Sequence, residues 1–230
     1  MSDEPAFDDY AENYEAALAT GIGVSGETSE YFAHGRIAWL ANYLRRVQMP
    51  CDRVMDFGCG TGAATPFFSS LLGSRSILGI DPSGGSLKVA QRQFGSERAQ
   101  FLLPTQYQPR QEVDLVFCNC AFHHIPLDER SDAVDYVHRS LRSGGLFALW
   151  ENNPWNPATR YIMSRCVFDR DAITLTPPQA CRLMRAGGFE IVRVDFYFIF
   201  PRALRWLRGI EPWVSRLPLG AQYQVLCRKS

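Results

Sequence analysis

An open, doubly wound α/β sheet is the fold this chain predicts, on two observations. Short apolar runs alternate with helix-length stretches from residue 53 to residue 150, and a glycine-rich turn stands where the first run meets the first of those stretches. Strict alternation of strand and helix calls for parallel strands joined by right-handed crossovers, with helices on both faces. The 230 residues suffice for one large domain whose core needs neither disulfide nor metal.

The elements are justified in order. Residues 21–26, with three glycines, are too flexible for regular structure and read either as a hinge below an N-terminal lid or as a plain surface loop. Residues 29–47 read as one helix: Phe32, Ile37, Leu40, Ala41, Leu44 and Val47 form its apolar stripe, and Pro50 lies beyond its end. Strands are expected at 53–57, 76–80, 100–103, 113–118 and 145–150, and helices at 63–73, 84–94 and 128–142. The last helix is expected to stop at Gly144-Gly145 behind the cationic Arg139 and Arg142. Then come a helix through Tyr161 and Met163, another at 177–186 opened by Pro177-Pro178, and strands at 189–200 and 222–228. No repeat or internal boundary stands out, so residues 1–230 read as a single domain.

Composition narrows the function. The 24 Lys+Arg and 24 Asp+Glu cancel, which argues against a nucleic-acid partner, whose phosphates demand an excess of cations. An aromatic content of 13% leaves too much apolar surface for a disordered chain. No apolar run reaches the length of a transmembrane helix. The acidic residues 1–5 lack the basic start and apolar stretch of a secretory signal. The seven cysteines are scattered without zinc-site spacing, so a reduced cytoplasmic protein without a metal site is expected.

The informative cluster is Asp56-Phe57-Gly58-Cys59-Gly60-Thr61-Gly62, between the first strand and the first crossover helix. Glycines there let the chain turn sharply and let a ligand approach without meeting a Cβ. Nineteen residues beyond Gly62, at the end of the second strand, stands Asp81. An acid at that place accepts both hydroxyls of a ribose lying over the first turn, because adjacent parallel strands end side by side. A pyrophosphate-binding turn needs two residues before its third glycine, and here there is one. The acid-led spacing suits a zwitterionic amino-acid moiety better, its carboxylate meeting backbone N–H groups and its ammonium meeting carboxylates and carbonyls.

On these residues the chain resembles the class I S-adenosylmethionine-dependent methyltransferases, in particular the small-molecule branch that includes ubiquinone- and menaquinone-type enzymes. The resemblance is close over residues 50–150 and looser outside them. It implies a Rossmann-like sheet of seven strands, mostly parallel, whose last two strands form an antiparallel hairpin. It also implies a lid in residues 1–50, a cofactor-binding core in 51–153 and an acceptor side in 154–230. Asp56, Gly58, Cys59, Gly60 and Gly62 would line the methionine end of S-adenosylmethionine. Asp81 would hold the ribose, Pro82 would lie under the adenine, and Asn119 would contact the cofactor from the fourth strand. Tyr14, or else Tyr10, would fold over it. Relatives often carry Gly-Asp after the third strand, where this chain has Pro104-Thr105, so Thr105 is the candidate for the adenine contact there.

A sulfonium-bound methyl group is already activated, so the protein must chiefly align an acceptor. An acceptor that loses a proton also needs a base. His124 and His123, just past the fourth strand, are the candidates, with capping of the following turn as the other reading. Glu151, at the end of the fifth strand, is the second choice. Asn152, Asn153, Trp155 and Arg160 follow it as candidate acceptor contacts. Residues 202–213 set Arg202, Arg205 and Arg208 beside Trp206 and Trp213. They read either as an amphipathic helix covering the sheet or as a weak contact with a membrane surface or an anionic, greasy substrate.

The neutral total also hides an asymmetry. Residues 1–153 carry 12 Lys or Arg and 19 Asp or Glu, whereas 154–230 carry 12 and 5, nearly all the cations being arginine. Arginine suits carboxylates and phosphates. The expected activity is therefore methyl transfer to a small organic acceptor, anionic or lipid-like. Its rivals are a non-catalytic cofactor-binding protein and a nicotinamide-dependent oxidoreductase.

Overall fold

A computed structural model describes residues 23–166 and 172–230. Its centre is a seven-stranded sheet in the order β3-β2-β1-β4-β5-β7-β6. The strands are β1 (Arg53–Phe57), β2 (Ser76–Ile80), β3 (Ala99–Leu102), β4 (Val113–Asn119), β5 (Leu141–Asn152), β6 (Phe189–Tyr197) and β7 (Gln222–Lys229). The first five run parallel, whereas β7 lies antiparallel between β5 and β6. The expected sheet and its terminal hairpin are thus present.

Helices cover both faces. On one face, α1 (Ser29–Arg46), α2 (Thr65–Leu72) and α3 (Gly84–Phe94) bury Ile37, Leu40, Leu44, Phe68, Leu87 and Ala90 against Val54, Leu115, Phe117, Ala148 and Leu226. On the other, α4 (Arg130–Ser140) and α5 (Pro177–Ala186) bury Val134, Val137, Ala180 and Met184 against Met55, Val116, Phe147, Leu149 and Val225. Alternate residues of each strand point to opposite faces, so both faces are apolar and the central strands read as continuous apolar runs. The winding direction reverses between β1 and β4. A crevice opens there, at the carboxyl ends of the parallel strands.

Local signals explain most boundaries. Thr28 caps α1 by accepting from Tyr31 N–H, and Ser83 caps α3 by accepting from Ser86 N–H. Gly73, at φ 71°, closes α2. Two expectations fail. The helix expected to run to Gly144 ends at Ser140, and Gly144 (φ 74°) sits inside β5 instead. Val113 pairs with Leu141 but Leu115 pairs with Leu146, so the strand bulges and glycine serves the bulge rather than a helix end. Residues 202–213 form no amphipathic α-helix over the sheet: Arg202–Ile210 is a tight 3₁₀ segment, and Trp206 and Trp213 stand out in solvent. Among the described residues no helix is long and apolar enough to cross a membrane.

Candidate functional site

Past β1 the chain turns through Gly58, Gly60 and Gly62 at φ 74°, 52° and 80°, a region other residues enter at a cost. Each glycine meets a different environment. A Cβ on Gly58 would lie 2.5 Å from the Ala121 Cβ, so its absence lets the loop after β1 close against the loop after β4. A Cβ on Gly62 would crowd Phe94, Ala90 and Phe101. On Gly60 it would meet nothing within 4 Å. Gly60 is the open side of the turn.

The turn is bound tightly to β2. Gly58 and Cys59 N–H both donate to Ile80 O, Gly60 N–H donates to Asp81 Oδ2 at 2.8 Å, and Gly62 N–H donates to Cys59 O. These amides are therefore engaged within the protein. Asp81, nearly buried, also accepts from Ser83 N–H at 2.8 Å through Oδ1.

Sequence reasoning missed a cation on this side. Arg36 interrupts the buried stripe of α1 between Ala33 and Leu40, reaches the sheet, and donates to Gln222 Oε1 at 2.9 Å. Its place on an otherwise apolar face was the available signal. Beneath it, Asp56 is buried, and its carboxyl is pushed up to about 7: burial raises it most, the neighbouring Asp81 raises it further, and the Arg36 charge pulls it back. Cys59 is inert, since burial holds its thiol well above the usual range. Asn119, at the end of β4 on the same face as Asp56, has a buried Oδ1 without a hydrogen-bond donor. An unmet acceptor beside a carboxylate that gains from a nearby positive charge suits a ligand ammonium group.

The opposite face at this edge holds a second constellation. His123 is buried, and its Nδ1 lies 2.6 Å from Glu151 Oε2, while Glu151 Oε1 accepts from Phe122 N–H at 2.9 Å. Cys120 takes φ 53°, and its Sγ accepts from Gln222 Nε2 at 3.2 Å. The ligand-type atoms of Cys120, His123 and Glu151 lie within 4.8 Å of one another, and these contacts account for each of them. The His124 ring sits 4.1 Å from that of His123 and is only half-buried.

The remaining candidates are spread more widely. Asn152 Oδ1 accepts from Gln222 Nε2. Asn153 is fully buried and braces the chain before β7, donating to Pro218 O and Gly220 O. Trp155 is half-exposed and stacks on Phe196. Arg160, Pro82 and Thr105 are exposed. Tyr14 and Tyr10 lie outside the described residues.

A parallel sheet with a glycine turn at its switch point and an acid ending the next strand defines a nucleoside-binding α/β fold. Comparison with known proteins sharpens this. A family model described as a methyltransferase domain matches residues 55–147. The trans-aconitate 2-methyltransferase of Methylobacterium nodulans is 28% identical over 158 residues, covering 68% of this chain and 58% of its own length. That of Escherichia coli O157:H7 is 26% identical over 214 residues, covering 86% and 83%. A S-adenosylmethionine-dependent methyltransferase from Thermotoga maritima shares the fold with a TM-score of 0.66 at 18% identity over 98% of both chains. One from Archaeoglobus fulgidus does so with a TM-score of 0.61 at 16% identity, over 84% of this chain and 94% of its own. Residues 55–147 therefore match a methyltransferase domain, and the chain is similar over most of its length to trans-aconitate 2-methyltransferases in sequence and to S-adenosylmethionine-dependent methyltransferases in fold. The two sequence relatives are trans-aconitate 2-methyltransferases rather than quinone-type enzymes.

Proposed function

We propose that the protein methylates a small anionic acceptor, with a carboxylic acid as the favoured class. The observation that carries the cofactor half of this reading is the turn at Gly58–Gly62 clamped to Asp81, with the unmet Asn119 Oδ1 beside it. S-adenosylmethionine supplies an activated methyl group on a sulfonium centre. The residues divide the task of holding it. Asp81 accepts the ribose hydroxyls, and Asp56 and Asn119 Oδ1 accept from the ammonium group. Arg36 pairs with the carboxylate, since the turn's own amides are engaged. Gly60 leaves room for the methionine end, Cys59 packs behind it, and Pro82 and Thr105 border the adenine side. Tyr14 stays the candidate for the cover.

The acceptor half rests on the trans-aconitate relatives and on the excess of seven cations in residues 154–230. Asn152, Trp155 and Arg160 lie on the segment that would meet the acceptor. A carboxylate reaches neutral pH already ionised, so it needs alignment and charge neutralisation rather than a base. His124 then donates a hydrogen bond. For a hydroxyl acceptor the same imidazole is the base, with His123 and Glu151 positioning it. The seven thiols, all free, support a reducing, cytoplasmic setting.

The test is methyl transfer from labelled cofactor to a panel of small carboxylic acids, trans-aconitate among them, and to their neutral esters. Labelled acids and unlabelled esters are expected. Methylation of amines alone would overturn the acceptor class, and failure to bind S-adenosylhomocysteine would overturn the enzyme itself. A His124→Ala variant that retains turnover toward acids is the further expectation, and a large loss confined to high-pKa hydroxyl acceptors would mark the base.

A further inference from the structure

We propose that residues 201–219 are a docking face that seats the protein on an anionic lipid surface. Of the eleven large apolar side chains exposed among the described residues, six lie here: Leu204, Trp206, Ile210, Trp213, Leu217 and Leu219. Trp206 and Trp213 are 75% and 87% exposed. Such a density of outward apolar side chains is costly in water and has to be matched by a partner surface.

The exposure is built in. Arg208 turns inward, donating to Glu27 Oε1 at 2.8 Å and Phe200 O at 3.1 Å, with its guanidinium 4.6 Å over the Tyr31 ring. Glu211, the only acid in the segment, is buried and accepts from Phe200 N–H. Ser215 O accepts from Phe196 N–H, while Asn153 and Asn156 donate to Pro218, Gly220 and Leu219 carbonyls. The backbone is thus tied to the sheet while Trp206 and Trp213 stay outside.

Charge selects the partner. With Arg208 and Glu211 turned in, the segment exposes Arg205, together with Arg202, which also donates to Gly26 O, and Arg216, which also reaches Val194 O and the buried Asp195, and it exposes no carboxylate. The segment kinks at Leu204, and Arg202, Leu204, Arg205 and Ile210 around that kink are all exposed. Cations flanking exposed tryptophans match an anionic headgroup layer, where indole rings settle at the boundary and arginines snorkel to phosphate.

Topology gives the contact a purpose. The segment joins the end of β6 to the start of β7, and Tyr197 and Gln222 pair beside Asn152 at the end of β5. That is the sheet edge that also carries the loops after β1 and β4. Docking here turns the mouth of the crevice toward the lipid, which suits an acceptor that is an amphiphile with an acidic head. The docking stands apart from the methyltransferase reading; only this substrate consequence rests on it.

The test is flotation of the full chain with vesicles of phosphatidylcholine alone and of phosphatidylcholine mixed with phosphatidylglycerol, alongside S-adenosylhomocysteine affinity as a check on the fold. Binding to the anionic vesicles, with a blue shift of tryptophan emission, is expected. Trp206→Ser/Trp213→Ser should weaken it about tenfold. Arg202→Gln/Arg205→Gln should weaken it about thirtyfold and remove the preference for phosphatidylglycerol. Both double variants should bind S-adenosylhomocysteine as the parent does. Protein that binds S-adenosylhomocysteine yet ignores anionic vesicles would overturn the proposal. So would a dimer in sedimentation that Trp206→Ser/Trp213→Ser dissolves, since a second copy would then own the face.

Discussion

Two carboxylates are buried at the same edge of the sheet, Asp56 on the α1 face and Glu151 on the α4 face, and they live in opposite circumstances. Glu151 is satisfied from within: Phe122 N–H and His123 occupy its two oxygens. Asp56 has a second acid beside it and only the charge of Arg36 to offset burial, so its carboxyl stands near 7 rather than in the ordinary range. A buried charge is held where it is fully paired, whereas an underpaired one stores a preference for an incoming cation. The α4 face thus pairs its acid from within, whereas the α1 face leaves its acid with one offsetting charge.

Four experiments break or sharpen that contrast. The largest effect is expected from Glu151→Ala, which leaves His123 and Phe122 N–H without their partner. It should cost about 3–5 kcal/mol of folding stability in a urea titration, while S-adenosylhomocysteine affinity changes little. A comparable loss of affinity would erase the division between faces. Asp81→Ala should weaken S-adenosylhomocysteine binding by about 1.5–3 kcal/mol in calorimetry, through the lost charge-assisted bonds to ribose. Unchanged affinity would remove the ribose assignment. Arg36→Gln comes next, weakening the same ligand by about 1–2 kcal/mol and moving the Asp56 carboxyl higher still.

The smallest signal is a proton. Because Asp56 titrates higher in the fold than its ordinary 3.8, the folded chain keeps a proton that the unfolded chain has released. This group's burden on stability is absent below 3.8 and grows as pH climbs to about 7. An ammonium group arriving beside it favours the ionised form, so cofactor binding between pH 6 and 7 should release a fraction of one proton. Calorimetry in two buffers of different ionisation enthalpy reads that fraction, and Asp56→Asn should abolish it. A release that persists in Asp56→Asn would assign the proton elsewhere.

The sheet was legible because its signals are local. The runs at 53–57 and 76–80 are β1 and β2, and 84–94 is α3; the Gly58–Gly62 turn and Asp81 lie where adjacent strand ends place them. What stayed hidden depends on contacts between distant segments. Gly144-Gly145 carries a helix-stop pattern, yet it serves a bulge whose register is set by β4. Gln222 joins Arg36, Asn152 and Cys120 only because an antiparallel register carries it there. The glycine turn announced a ligand, but only the folded chain shows its amides engaged with β2 and Arg36 reaching Gln222. In the tail, the 3₁₀ path breaks at Leu204 and gives way to a single α-helical turn at Glu211–Val214, which leaves both tryptophans in solvent.

The contact between Gly58 and Ala121 reaches beyond packing. The loops after β1 and β4 meet so closely that position 58 has no room for a methyl group. Position 58 is confined to glycine by its backbone, and position 121 is confined to the smallest side chains by position 58. The two loops cannot diversify separately. A larger side chain on either loop has to be answered by a shift of the other.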